Sequence, residues 1–144
     1  MNPKLKTFLD TKGCYFRENP ALVDQALERM GASPPSSFVD FYRTYEGGFC
    51  SKFTAFELAE VVGHMEEMTY TCRTVHSFPE QCLVIADEVA DAVLVYDWVK
   101  DAVYCVDFEG SDELLKNGEL DPDWSSFEEY IEEYFLGKNH GADE

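Results

Sequence analysis

Pro34-Pro-Ser-Ser-Phe-Val-Asp-Phe-Tyr-Arg-Thr-Tyr-Glu-Gly-Gly-Phe49 carries a helix together with its start and its stop. Phe38, Phe41, Tyr42 and Tyr45 fall at i, i+3, i+4 and i+7, so the helix presents one aromatic stripe that must find a core. Ser36 or Ser37 can cap the first amides, and Gly47 and Gly48 supply a left-handed stop.

Upstream, Leu5, Phe8 and Leu9 predict a short helix running to Gly13, then an extended Cys14–Arg17. Asn19-Pro20 opens a helix that Leu22, Val23, Ala26, Leu27 and Met30 continue until Gly31. Downstream, Phe49–Phe53 reads as a short strand. Leu58, Val61, Val62, Met65 and Met68 return to helical spacing, with Glu57, Glu60, His64 and Glu67 on a different, acidic face.

From Phe78 the pattern changes. Cys82–Ala86, Ala92–Tyr96 and Ala102–Val106 are short apolar runs separated by Asp-rich turns, too close together for parallel crossovers, so they predict an antiparallel meander. Phe108 to Asp123 is a long irregular connection. A last helix starts at Ser126, with Glu129 completing a capping box, and carries Phe127, Tyr130, Ile131, Tyr134 and Phe135 to Gly137. Helices, a sheet, then a helix make an α+β single domain over 1–144, with its core at about 19–137 and a loose tail at 138–144.

The chain has 144 residues and a formal charge of -18, from 11 basic against 29 acidic side chains. Such a surface argues against direct binding to nucleic acid or anionic membrane, which needs clustered Lys and Arg. It serves solubility, or it steers a basic partner. Neither an apolar signal region nor a run of about 20 apolar residues is present, and the expectation is a cytoplasmic protein. The five cysteines, Cys14, Cys50, Cys72, Cys82 and Cys105, are scattered in apolar settings and read as reduced thiols. Cys72, His76 and Cys82 lack the tight four-ligand spacing of a structural zinc, so no metal is expected.

The ordered motifs resemble the Smi1/Knr4 (SUKH) family of small α+β domains over roughly Leu22 to Leu136. The matching pieces are Leu27 to Gly31, the Pro-x-Ser-Phe helix start, Gly47-Gly48 and Phe78-Pro79. Further on come Tyr96-Asp97, Val103-Tyr104 and the closing Trp124-x-Ser-Phe-Glu-Glu-Tyr-Ile. Two positions depart from the family pattern: Glu46 stands where Asn usually precedes the glycines, and Asp87–Asp91 replaces a Gly-rich turn. Many bacterial members are immunity proteins that bind and block the toxin domain of a polymorphic or contact-dependent toxin; fungal relatives are signalling scaffolds. The resemblance therefore implies a protein partner, a cognate toxin domain. An exposed sheet edge could support a dimer, so the expected state is a monomer or weak dimer.

Catalytic motifs are missing: there is no Gly-rich phosphate loop, His-Glu-x-x-His helix or Gly-x-Ser-x-Gly elbow. His64, His76 and His140 read as surface, loop and tail residues. The expectation is a non-enzyme without cofactor that inhibits by occlusion, with a nuclease as a possible target because a phosphate-binding cleft is basic. The alternative is a scaffold domain whose acidity serves solubility. Candidate partner-binding residues are acids beside an aromatic anchor: Glu57, Glu60 and Glu67 on the helix predicted from Leu58 to Met68, Asp87, Glu88, Asp91, Asp97 and Asp101 in the meander loops, and Trp98 as the hot spot. Trp124 reads as core.

Overall fold

The computed structural model describes residues 1–137, and the predicted meander is its central element. Strands β3 (Cys82–Val89), β4 (Ala92–Asp97) and β5 (Ala102–Asp107) follow two small elements, β1 (Tyr15–Phe16) and β2 (Tyr45–Glu46), which pair with each other. All pairings are antiparallel. Among the described residues the helices are α1 (Pro3–Phe8), α2 (Ala21–Met30), α3 (Ser36–Thr44), α4 (Glu66–Val75), α5 (Ser111–Lys116) and α6 (Phe127–Leu136). The α+β class is as the sequence predicts. The tail expected to be loose lies outside the described residues.

Local signals explain most boundaries. Asn19 accepts from the amide of Ala21 at the start of α2, and Gly31 ends that helix at φ 68°. Ser126 Oγ accepts from Glu129 N at 3.0 Å to open α6. The carboxylate of Glu129 reaches back to the Ser125 amide at 3.1 Å, one residue beyond the simple capping box.

The helix that decides the fold begins and ends differently from its reading. Pro35 flanks α3, with Ser36 and Ser37 inside the first turn and no side-chain cap, so the serines are not the cap. At the other end Tyr45 is already extended, at φ -116° and ψ 138°, because it pairs with Phe16. Strand pairing stops this helix before the glycines are reached. Gly47 has another reason to be glycine: a Cβ there would stand 3.1 Å from Glu60 Cβ and 3.3 Å from the Phe49 ring. The expected strand at Phe49–Phe53 is an irregular segment.

The helix expected from Leu58 also starts late, at α4. Leu58 bridges to Ala86 and the Ala59 amide donates to Ile85 O at 2.8 Å, which holds this stretch extended along β3. A kinked turn, Val61–Met65, follows, with Gly63 at φ 84°, and only then does α4 run. Glu57 and Glu60 are therefore not on a helix face. Helix α5, inside the stretch read as irregular, is held by its start: Asp107 Oδ1 accepts from Glu109 N at 2.9 Å, and Ser111 Oγ accepts from Asp107 N at 2.7 Å.

Both faces of the meander are buried, which is why its strands read as continuous apolar runs. Leu83, Ile85, Leu94, Tyr96 and Val103 join the main core with the aromatic residues of α3 and α6. Phe38 lies at its centre, stacked on Tyr96 at 4.8 Å and edge-on to Phe127 at 4.8 Å. Such pairs contribute about 0.5–1.5 kcal/mol beyond area burial. On the other face Val84, Val93, Val95, Tyr104 and Val106 form a smaller cluster with Cys72, Phe78 and Leu115.

Neither outer strand is left open at mid-length. Val103 and Trp124 exchange backbone bonds of 3.0 and 3.1 Å along β5, and the Cys105 amide donates to Asp123 Oδ2 at 2.7 Å. On β3, Thr69 Oγ1 accepts from the Val84 amide at 3.0 Å. Among the described residues the three-stranded sheet thus has no edge strand open along its middle, where edge-to-edge pairing would start.

Candidate functional site

The proposed partner-binding residues separate into two groups. Glu60, Asp97 and Asp101 are structural. Glu60 closes the kinked turn, accepting from the Val61 amide, and forms an ion pair with buried Arg17. Asp97 is only 4% exposed; it accepts from Gln81 Nε2 at 2.7 Å and from the amides of Val99 and Lys100 at 3.0 Å each. Asp101, at φ 54°, accepts from the Tyr96 hydroxyl at 2.7 Å and from the Phe127 amide at 3.3 Å. These three were expected to be exposed acids. The β4–β5 turn and the Arg17 cage consume them instead. Trp98 is half-buried against the main core. Glu57 is exposed in the extended segment before Leu58.

The second group converges. Glu67 on α4 and Asp87 and Glu88 at the end of β3 line one cleft of about 380 Å³, and exposed Asp91 stands at the tip of the adjoining hairpin. The loop read as Asp87–Asp91 is tighter than expected: β3 continues through Val89, and only Ala90 and Asp91 make the turn, at φ 49° and 67°. That is the two-residue hairpin geometry, and it keeps Asp87 and Glu88 on a strand facing α4.

The cleft floor is apolar and its rim is acidic. Val84, Val93, Met68 and Cys72 lie within, while His64 Nε2 and Asp87 Oδ1 meet across it at 2.9 Å. His76 and Phe108 contribute at one end, their rings 4.4 Å apart. No Lys or Arg is among the described residues that line it. His64, read from sequence as a surface residue on the same acidic face as Glu67, is a further member of the cleft, although it stands in the kinked turn before α4.

Burial, and secondarily the Glu88 charge, pushes the Cys72 thiol up to about 11. Burial does the same to Cys82, to about 12, with Asp97 adding to it. Neither is a thiolate near neutrality. Among the described residues no group of His, Cys, Asp and Glu is arranged to hold a metal ion, and no helix is long and apolar enough to cross a membrane.

The sequence model of the SMI1/KNR4 family (SUKH-1) matches residues 4–133. The chain belongs to this family. No curated protein matches it. The match begins well before Leu22, the start of the ordered motifs, and so takes in β1 and all of α1 but Pro3. The SUKH motif positions have clear structural tasks: Gly47 admits Glu60, and Trp124 covers the edge of β5. Glu46, the departure from the SUKH pattern, lies 3.8 Å from Arg17 Nη1 and extends the same ion-pair network.

Proposed function

We propose that the protein is an immunity-type inhibitor that binds a basic toxin domain and occludes its active site, without catalysis, cofactor or direct nucleic-acid contact, in the cytoplasm. Family membership supports a protein partner of this kind, since many bacterial SUKH members act so. The observation that carries the choice of surface is the convergence of Glu67, Asp87, Glu88 and Asp91 around one cleft whose described lining residues include no lysine or arginine. A carboxylate-rimmed cleft with an apolar floor suits a basic patch, and a nuclease, whose own cleft must hold phosphate, presents one.

Co-expression with the C-terminal domain of a toxin-like protein encoded beside this chain tests the reading. Rescue of growth with a co-purifying complex supports it. Within that complex, Glu67→Lys with Glu88→Lys is expected to slow association about tenfold at low salt, an effect that fades as salt rises. Death despite expression of the folded chain removes that toxin as the partner; salt-independent association removes the acidic cleft.

A further inference from the structure

On the sheet face opposite this cleft lies a second cavity, of about 280 Å³, with an unusual lining. Phe53, Phe56, Trp124, Tyr130 and Tyr134 supply aromatic walls, and Glu133 supplies one carboxylate. Trp124 and Tyr130 stand edge to face, 4.9 Å apart and inclined at 74°. The Trp124 indole N–H donates to Glu133 Oε2 at 3.1 Å, which fixes the carboxylate beside the rings; its other oxygen has no hydrogen-bond partner among the described residues. The hydroxyl of Tyr130, a residue 2% exposed, also has none.

The outer wall is built with similar care. Phe53 is half exposed, and it rests against Gly137, where a Cβ would stand 2.9 Å from the ring. Its ring already attracts a cation, with Lys52 Nζ 5.8 Å from the centroid.

We propose that this cavity receives the guanidinium of an arginine side chain presented by a protein partner. Aromatic faces attract cations through their quadrupoles, and a planar guanidinium can stack on a ring while donating to a carboxylate, which an ammonium cannot do as well. Glu133 and the Tyr130 hydroxyl oxygen are the acceptors. The volume falls just under the roughly 300–1,000 Å³ of pockets for whole small molecules, so it suits one side chain. A free amino acid fits less well, because the described lining residues include no cation for its carboxylate. This deepens the partner-binding reading by naming a group the partner presents, yet its test needs no partner.

Isotope-labelled protein is titrated with N-acetyl-arginine N-methylamide while the Trp124 indole N–H is followed by NMR, with Trp98→Phe providing the assignment. A saturable shift in the millimolar range is expected, with the neutral citrulline analogue roughly tenfold weaker and the lysine analogue weaker than arginine. Glu133→Gln keeps an acceptor for the indole but removes the charge, and is expected to weaken arginine about tenfold. Phe53→Ala, at an exposed ring, weakens it severalfold without unfolding. Equal binding of arginine and citrulline overturns the proposal, as does no saturable shift at Trp124. Tighter binding of lysine overturns the guanidinium assignment, and much tighter binding of free arginine overturns the protein partner. A toxin that kills co-expressing cells leaves arginine binding untouched, whereas lost arginine binding beside intact rescue overturns this inference alone.

Discussion

Arg17 and Glu60, distant in sequence, form an ion pair in which one guanidinium nitrogen, Nη2, donates to both carboxylate oxygens and the arginine side chain is 2% exposed. The same guanidinium donates to Tyr42 O at 2.6 Å and Tyr45 O at 3.2 Å. It thus satisfies the carbonyls where α3 passes into β2 and ties β1 to the turn before α4. Removing one partner of a buried pair leaves the other charge uncompensated. Glu60→Ala is expected to destabilise the fold by about 3 kcal/mol in urea titration. A loss below roughly 1 kcal/mol, the value of an exposed pair, would show that the pair is solvated rather than structural.

Asp97 gives a contrast with Glu67 that separates stability from recognition. Asp97→Ala frees two turn amides and Gln81 in a buried corner, at an expected cost of about 2–3 kcal/mol. Glu67→Ala, on the exposed side of α4, should change stability by no more than about 0.5 kcal/mol. Partner association should show the reverse sensitivity, with Asp97→Ala binding normally wherever it remains folded. A folded Asp97→Ala protein with selectively slowed association would return this residue to the interface.

The β3–β4 turn asks two L-residues, Ala90 and Asp91, to take positive φ. An L-residue other than Asn or Asp pays roughly 1–2 kcal/mol there, and Asn-Gly is the pair that this turn prefers. Ala90→Asn with Asp91→Gly should therefore raise stability by about 1 kcal/mol, seen as a higher urea midpoint at unchanged slope. The contact from Phe108 N to Asp91 O, at 3.2 Å, uses backbone alone and survives the change. A lower midpoint would mean that the Asp91 side chain holds the hairpin in a way its geometry does not reveal.

Periodicity made α2, α3, α6 and the meander legible, because each buries one stripe or one continuous apolar run. The start of α4 differs from its reading for a physical reason: Leu58, Val61 and Val62 satisfy helical spacing, but the Leu58 bridge and the Gly63 turn hold that stretch out of the helix. Of the nine candidate partner-binding residues, Glu67, Asp87, Glu88 and Asp91 fall around the cleft. Glu67, Asp87 and Glu88 remain exposed because no buried cation or turn amide takes up their carboxylates; Asp87 meets only the exposed His64. Glu60, Asp97 and Asp101 were consumed by partners remote in sequence or by backbone amides in their own turns, which charge patterning cannot register.

The aromatic core makes the alkaline limb of stability a direct readout of packing. Burial raises the phenol pKa of Tyr42, Tyr45, Tyr96, Tyr104, Tyr130 and Tyr134; Glu60 adds to it at Tyr42, Asp10 at Tyr45 and Asp101 at Tyr96. Tyr134 reaches about 12. Because these folded values lie above the unfolded value of about 10, the unfolded chain releases protons first. The stability they contribute is complete below about pH 10 and is lost as pH rises through the folded values. Tyrosinate absorbance from these residues should therefore rise together with loss of far-UV circular dichroism. Tyr96→Phe should make the fall in stability between about pH 10 and 12 shallower by close to one proton, or about 1.4 kcal/mol per pH unit at full difference. Complete tyrosine ionisation with an unchanged dichroism spectrum would show that water reaches the ring cluster around Phe38 in the folded state.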